Sequence, residues 1–240
     1  MLRDACRIGK PASGPVVRSG GRALTRVGGV PPGDVTAALS EEDAGGDPYA
    51  LFGAWFAAAG EVDDQPEAMG LATVGADGRP SLRMVLLKGW GTDGFTFFTN
   101  YQSRKGGELD AHPGAALLFF WPALMREVRI EGSVSRTSAA ESDAYFATRP
   151  RGSQIGAHAS AQSRPLGSRA ELDRNVAEVA DRFAGRSVPR PDHWGGYRLA
   201  PDRFEFWQGR TDRLHDRLVF TRTAQGGPVG GTWARTRLQP

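Results

Sequence analysis

The chain has 240 residues, enough for one large domain or two small ones, and its 30 Lys+Arg against 27 Asp+Glu leave a net charge of +3. Residues 1–33 hold six cations (Arg3, Arg7, Lys10, Arg18, Arg22, Arg26) against Asp4, a net of +5, and the other 24 cations and 26 anions leave −2. A nucleic-acid-binding domain carries its excess charge on the folded part, the lone Cys6 rules out an internal disulfide or a cysteine metal cluster, and the longest apolar run, 115–121, is too short to span a membrane.

Residues 1–46 combine Gly, Pro and charge with no hydrophobic period, which predicts a disordered basic extension. No apolar segment follows the basic start, so a secretory signal is not expected. Gly20-Gly21, Gly28-Gly29 and Pro31-Pro32 would break the amphipathic helix of a transit peptide, so the expected location is the cytoplasm. The folded domain is expected over 47–240. Asp47-Pro48 reads as a helix N-cap followed by proline at the first helical position. Leu51, Phe52, Trp55, Phe56 and Ala59 form its apolar face, and Gly60 stops it.

Strands follow: 69–76, a hairpin turn at Asp77-Gly78, then 81–88 and 94–99. Ser103 caps a short helix ending at His112-Pro113, and 115–121 and 127–136 read as further strands. Ser138 and Glu141 form a capping box for a helix that must end by Arg149, before Pro150. Ser168 and Glu171 open another, with Leu172, Val176, Val179 and Phe183 on one face. Strands around 197–199, 204–207 and 214–223 and a short segment at 233–238 close the chain. Strands dominate, helices are peripheral and connections are tight. The expected class is mainly β, an antiparallel barrel or strongly bent sheet, with no dinucleotide fingerprint after any strand.

Four constellations could carry chemistry. Arg83-Met84-Val85-Leu86-Leu87-Lys88 is an apolar strand with a cation at each end; either the cations snorkel, or each faces an anion. Five residues apart, Arg83 and Lys88 point to opposite faces of a regular strand and would serve two anions. Ser103-Arg104-Lys105 places a hydroxyl and two cations at a helix start, which suits a phosphate. Tyr145 and Arg149 share a helix face, with Ser153 in the following turn, as a second phosphate cradle or as ordinary packing and a C-terminal cation. Arg213, His215 and Arg217 share one face at strand period, either as a solvated stripe or facing an anion, with Trp207 just upstream. The four histidines show no metal-ligand spacing.

These segments together resemble the pyridoxamine 5′-phosphate oxidase family. The motifs are RMVLLK (83–88), FFTNYQSRK (97–105), YFATRPRGSQIGA (145–157), QSRP (162–165), WGGYRL (194–199), EFWQGR (205–210), RLHDR (213–217) and the closing RLQP (237–240). The resemblance implies an FMN-binding split β-barrel, a homodimer with FMN between the subunits. It implies oxidation of pyridoxamine and pyridoxine 5′-phosphates to pyridoxal 5′-phosphate, with O2 as acceptor, hydrogen peroxide as product and ammonia released from the amine.

Carried over by position, Arg83, Arg104, Lys105, Gln162 and Ser163 correspond to FMN contacts, several at its phosphate. Met84, Val85, Leu86, Leu87, Lys88, Phe98 and Thr99 run along the flavin. Trp207 and Arg217 match positions at the flavin ring, and Glu127 one near its polar edge. Lys88, Tyr145, Arg149 and Ser153 match the cradle for the substrate phosphate. Arg213, Leu214 and His215 match residues over the substrate ring, with Arg213 and His215 as the catalytic candidates. A guanidinium stays protonated, so Arg213 would orient substrate and stabilise charge rather than act as a base.

Two departures stand out. The family's Arg-x-x-Tyr lid segment before the first helix has no counterpart, since the first tyrosine is Tyr49. Glu127 replaces the family's usual glutamine. A carboxylate there repels charge developing on reduced flavin, lowering its potential or weakening FMN binding, unless a neighbour such as Arg129 pairs with it. The missing lid keeps a second reading open, an FMN oxidase acting on another ring, as in phenazine pathways. A third is a non-catalytic flavin- or pyridoxal-phosphate-binding protein, which intact Arg213 and His215 oppose.

Overall fold

The computed structural model describes residues 38–223 and 232–240. Most of the basic extension therefore lies outside the described residues. Its last part does not match expectation: a short helix, α1 (Glu41–Ala44), is capped by Ser40 and precedes the expected start at Asp47. The physical reason is tertiary. Leu39 and Ala44 are buried in the core, and Arg237 near the C-terminus bonds the Glu41 carboxylate and the Leu39 carbonyl.

Helix α2 (Pro48–Gly60) starts where its cap predicts, with the Asp47 carboxylate accepting from the Tyr49 N–H. Then come β1 (Ala68–Val74), β2 (Pro80–Leu86), β3 (Gly89–Gly91) and β4 (Gly94–Asn100). Helix α3 (Arg104–Ala111) follows Ser103, whose hydroxyl accepts from the Gly106 N–H. Strands β5 (Gly114–Trp121) and β6 (Arg126–Arg136) lead to three helices, α4 (Ala139–Thr148), α5 (Arg151–Ala159) and α6 (Arg169–Arg182). The chain ends with β7 (Trp194–Gln208), β8 (Asp216–Arg222) and β9 (Trp233–Arg237).

The strands form one curled antiparallel sheet in the order β2-β1-β5-β6-β7-β4-β3, with β8 and β9 branching from β7. This is the mainly β split barrel, with helices at its periphery. Strand β7 makes the branch. One edge pairs with β6 along most of its length, while the other edge pairs with β4 over 194–199 and with β8 over 203–208. The two strands expected here are one, because Pro201-Asp202 sits in a bulge rather than a turn. Gly132 faces that bulge, and a Cβ there would stand 2.0 Å from the Ala200 carbonyl oxygen. Only glycine allows so close an approach.

Helix α2 fills the mouth of the curl. Phe52 is fully buried and meets Phe95 (4.9 Å), Trp90 (5.1 Å) and Phe119 (5.2 Å) edge-on. A second, smaller core of Phe146, Ile155, Ala159, Val179, Val188 and Trp194 joins α4, α5 and α6 to the start of β7. Among the described residues no helix is long and apolar enough to cross a membrane.

Candidate functional site

A cleft of about 280 Å³ lies where the second core meets β2 and β4. It is lined by Met84, Val85, Leu86, Lys88, Phe98, Thr99, Lys105, Tyr145, Arg149, Gln162 and Trp194. Most of these were expected from sequence, and the lining as a whole comes from six separate segments. Strand β2 delivers its row in alternation: Met84 and Leu86 are exposed, Val85 is half-buried, and Leu87 turns into the core at 5% exposure. The regular strand ends at Leu86, and the Lys88 N–H bonds the Thr96 carbonyl. Strand period therefore does not govern the direction of Lys88.

One end of the cleft is cationic and hydrogen-bonded. Lys105 Nζ donates to Gln162 Oε1 at 2.9 Å and to Thr99 Oγ1 at 3.2 Å. Burial, with the Arg83 charge adding to it, lowers the Lys105 pKa. Arg83 does not line the cleft: it lies against Glu108 at 2.9 Å, and Arg104 bonds the other oxygen of the same carboxylate at 2.8 Å. Three cations against one carboxylate leave this corner at +2, a balance that fits a phosphate dianion. Ser163 follows Gln162 with a φ of 70°, a left-handed backbone that turns the segment sharply.

The other end is aromatic. Phe98, Tyr145 and Trp194 stack nearly parallel, with Phe98 to Tyr145 at 3.9 Å and 17° and Phe98 to Trp194 at 5.5 Å and 11°. The Arg149 guanidinium lies 4.5 Å from the Trp194 ring centroid, and its Nη1 is buried with no hydrogen-bond partner among the described residues. Burial lowers the Arg149 pKa and raises that of Tyr145. A buried guanidinium nitrogen without an acceptor is costly, and an anion at this point would satisfy it. Lys88 lines the same cleft, 3.9 Å from Glu67.

Ser153 departs from expectation. It lies on α5, exposed, and does not line the cleft. Pro150 ends α4 as foreseen but also serves as N-cap of α5, so no loop follows it.

The remaining candidates form a second cluster on β6, β7 and the approach to β8. Glu127, Trp207 and Arg217 stand side by side in register across the three strands. Arg129 Nε donates to Glu127 at 2.6 Å. Arg217 donates Nε and Nη2 to Glu205, which is 1% exposed. The shared strand face expected for Arg213, His215 and Arg217 does not exist, because β8 begins at Asp216. Asp212 and Arg213 take left-handed φ values of 56° and 61° in a 3₁₀ turn, leaving Arg213 and Leu214 exposed. His215 turns back, its Nδ1 accepting the Arg210 N–H at 3.1 Å and its ring 4.6 Å from Trp207. Among the described residues, no hydrogen bond, ion pair or ring contact joins this cluster to the cleft.

Sequence reasoning gave no role to Trp194, Glu67, Glu108 or Glu205. Trp194 opens the WGGYRL motif, and Glu108 stands four residues after Arg104, a helical ion-pair spacing; both signals were present.

Two family models cover most of both clusters. The model for pyridoxamine 5′-phosphate oxidase matches residues 57–183, which hold the cleft up to Gln162. The model for the pyridoxine 5′-phosphate oxidase C-terminal dimerisation region matches residues 194–240, which hold Trp207 and Arg213 to Arg217. A pyridoxine/pyridoxamine 5′-phosphate oxidase of Rubrobacter xylanophilus is 57% identical over 205 residues, 85% of this chain and 92% of that protein. One from Sphingopyxis alaskensis is 55% identical over 221 residues, 91% and 95% of the two chains. The crystal structure of PhzG from Burkholderia lata 383, in complex with tetrahydrophenazine-1-carboxylic acid, superposes with a TM-score of 0.79 at 33% identity, covering 87% of this chain and all of that one. An FMN-binding protein of Nostoc punctiforme, at 16% identity and a TM-score of 0.64, shares the fold. The chain belongs to the pyridoxine/pyridoxamine 5′-phosphate oxidase family.

Proposed function

We propose that the protein uses FMN to oxidise pyridoxamine and pyridoxine 5′-phosphates to pyridoxal 5′-phosphate. The observation that carries this reading is the pairing of two anion-seeking ends in one cleft. The corner of Lys105, Gln162 and Thr99 has a surplus of positive charge, and Arg149 has a buried nitrogen without an acceptor. One phosphate belongs to the cofactor and one to the substrate.

When bound, FMN would supply the redox chemistry, a two-electron oxidation of the substrate by O2, which with two protons becomes hydrogen peroxide. The protein supplies binding and orientation. Lys105, Gln162, Thr99 and Arg104, with Arg83 behind them and Ser163 alongside, hold the cofactor phosphate. Lys88, Tyr145 and Arg149 hold the substrate phosphate. Arg213 and His215 orient the substrate ring, and Trp207, Arg217 and Glu127 meet the flavin.

The separation of the two clusters supports a homodimer in which each chain completes the other's site. An apolar sheet face supports it too. Leu82 (68%), Met84 (66%) and Phe120 (49%) are exposed, and Met84 is in register with Gly70 and Gly70 with Leu118.

A second reading, oxidation of a non-phosphorylated ring, draws on the similarity to PhzG and on the lack of any tyrosine before Tyr49. One experiment separates the two. The purified protein is expected to show a flavin spectrum, to bleach with pyridoxamine 5′-phosphate under anaerobic conditions, and to form aldehyde and peroxide in air. A flavin spectrum inert to both phosphorylated vitamers favours the second reading or a non-catalytic binder. A protein that takes up no FMN refutes both oxidase readings.

A further inference from the structure

Glu108 is a buried carboxylate behind the cationic corner of the cleft, on the helix that carries Arg104 and Lys105. Its Oε2 accepts from Thr73 Oγ1 at 2.6 Å, Ser81 Oγ at 2.6 Å and Arg83 Nη2 at 2.9 Å. Its Oε1 accepts from Arg104 Nε at 2.8 Å. Burial raises its pKa, but the donors from Ser81, Thr73, Arg104 and Arg83 outweigh that and hold it at about 2.

The consequence lies in what the two arginines have left to give. Arg83 directs Nη1 to the Leu71 carbonyl and the Thr73 hydroxyl, and Nη2 to Ser81 and Glu108. Its four terminal N–H bonds are engaged, leaving Nε–H. Arg104 is held the opposite way, by Nε, which leaves both terminal nitrogens without a partner among the described residues. One carboxylate thus sets two guanidiniums in complementary orientations next to Lys105, whose pKa the Arg83 charge helps to lower. A flexible arginine loses rotamer freedom on binding, and a pre-set one loses less.

We infer that Glu108 is a positioning residue for the cofactor phosphate: it fixes Arg83 and Arg104 so that their remaining N–H groups are pre-arranged for that anion. This rests on the reading above that FMN binds with its phosphate at this end. Glu108 touches no ligand, and its role is exercised through the arginines.

The test compares two flavins that differ only in the phosphate. The full chain, freed of bound flavin, is titrated with FMN and with riboflavin, each followed by quenching of flavin fluorescence. For Glu108→Gln the FMN Kd is expected to rise roughly tenfold, the loss of about one charge-assisted hydrogen bond. Riboflavin affinity should stay at the wild-type value. Should Glu108→Gln fail to fold, Ser81→Ala removes one donor and keeps both ion pairs; the FMN Kd should rise about two- to threefold on the same logic, again with riboflavin unmoved. Unchanged or tighter FMN binding overturns the assignment, as does an equal loss for both flavins, which marks a purely structural carboxylate. A wild-type chain that binds neither flavin overturns the cofactor reading itself, and the assignment with it.

Discussion

The Arg149 guanidinium lies 4.5 Å from the Trp194 ring centroid and keeps its Nη1 buried without an acceptor among the described residues. The indole holds the cation by its π face, so the N–H bonds at the edge remain for a ligand. Replacing Arg149 with Met is expected to raise KM for pyridoxine 5′-phosphate roughly ten- to a hundredfold. This corresponds to about 1.5–3 kcal/mol for a lost charged hydrogen bond. kcat should change little, because the contact is made equally in ground and transition states. Unphosphorylated pyridoxine should be handled as by the wild type. Steady-state kinetics with both substrates checks this, and an equal loss for both would show that Arg149 does not read the phosphate.

Lys105 gives a pH dependence with a definite sign. Burial, with the Arg83 charge adding, lowers its pKa from 10.5, so the ammonium loses its proton at lower pH than a solvated lysine. The phosphate needs the charged form. FMN affinity should therefore fall as pH rises from neutrality towards 10.5. Lys105→Arg should abolish this alkaline decline, since a guanidinium stays charged. Titrations with FMN across that range, with riboflavin as control, decide it; a decline shared by riboflavin or retained in the arginine variant refutes the role.

Glu127 was expected to lower the flavin potential unless a neighbour neutralised it, and Arg129 does so at 2.6 Å. Glu127→Gln leaves the Arg129 charge uncompensated and should raise the flavin reduction potential. Arg129→Met leaves the carboxylate unpaired and should lower the potential, and the double variant should restore it. Reductive titration against a reference dye measures all three. A double variant whose potential stays away from the wild-type value would show that the two charges do not offset each other at the flavin.

Phe52 anchors the barrel independently of the site. It is fully buried among Phe95, Trp90 and Phe119. Phe52→Ala should cost about 3–5 kcal/mol of stability through a residual cavity. Denaturant unfolding checks this, and a loss below about 1 kcal/mol would mean that the site collapses around the smaller side chain.

Much of the fold was legible in local signals. Asp47-Pro48, Ser103, Ser138 with Glu141, and Ser168 cap helices where they stand, because a capping hydroxyl or carboxylate acts within three residues. The edges of β4, β5 and β6 lie within a residue of those expected from apolar patterning and turn residues, whereas β2 stops at Leu86, two residues short of the expected Lys88. The failures share a cause. Pro150 ends α4 as expected but also opens α5, and the strands expected around 197–199 and 204–207 are one, with Pro201 in a bulge within β7. Proline removes a donor and restricts φ, but whether the chain ends an element there depends on what pairs with it from elsewhere.

The sequence by itself determined the partition of charge, the order of the elements and the set of side chains suited to two phosphates. Only the tertiary structure decided which of those cations already have a partner. Arg83 meets Glu108, 25 residues away along the chain, while Arg149 keeps a buried nitrogen without an acceptor among the described residues. An ion pair or hydrogen bond acts over about 3–4 Å. Periodicity in a sequence reports which face a residue takes on its own element, and it carries no record of which distant side chain will stand within that reach.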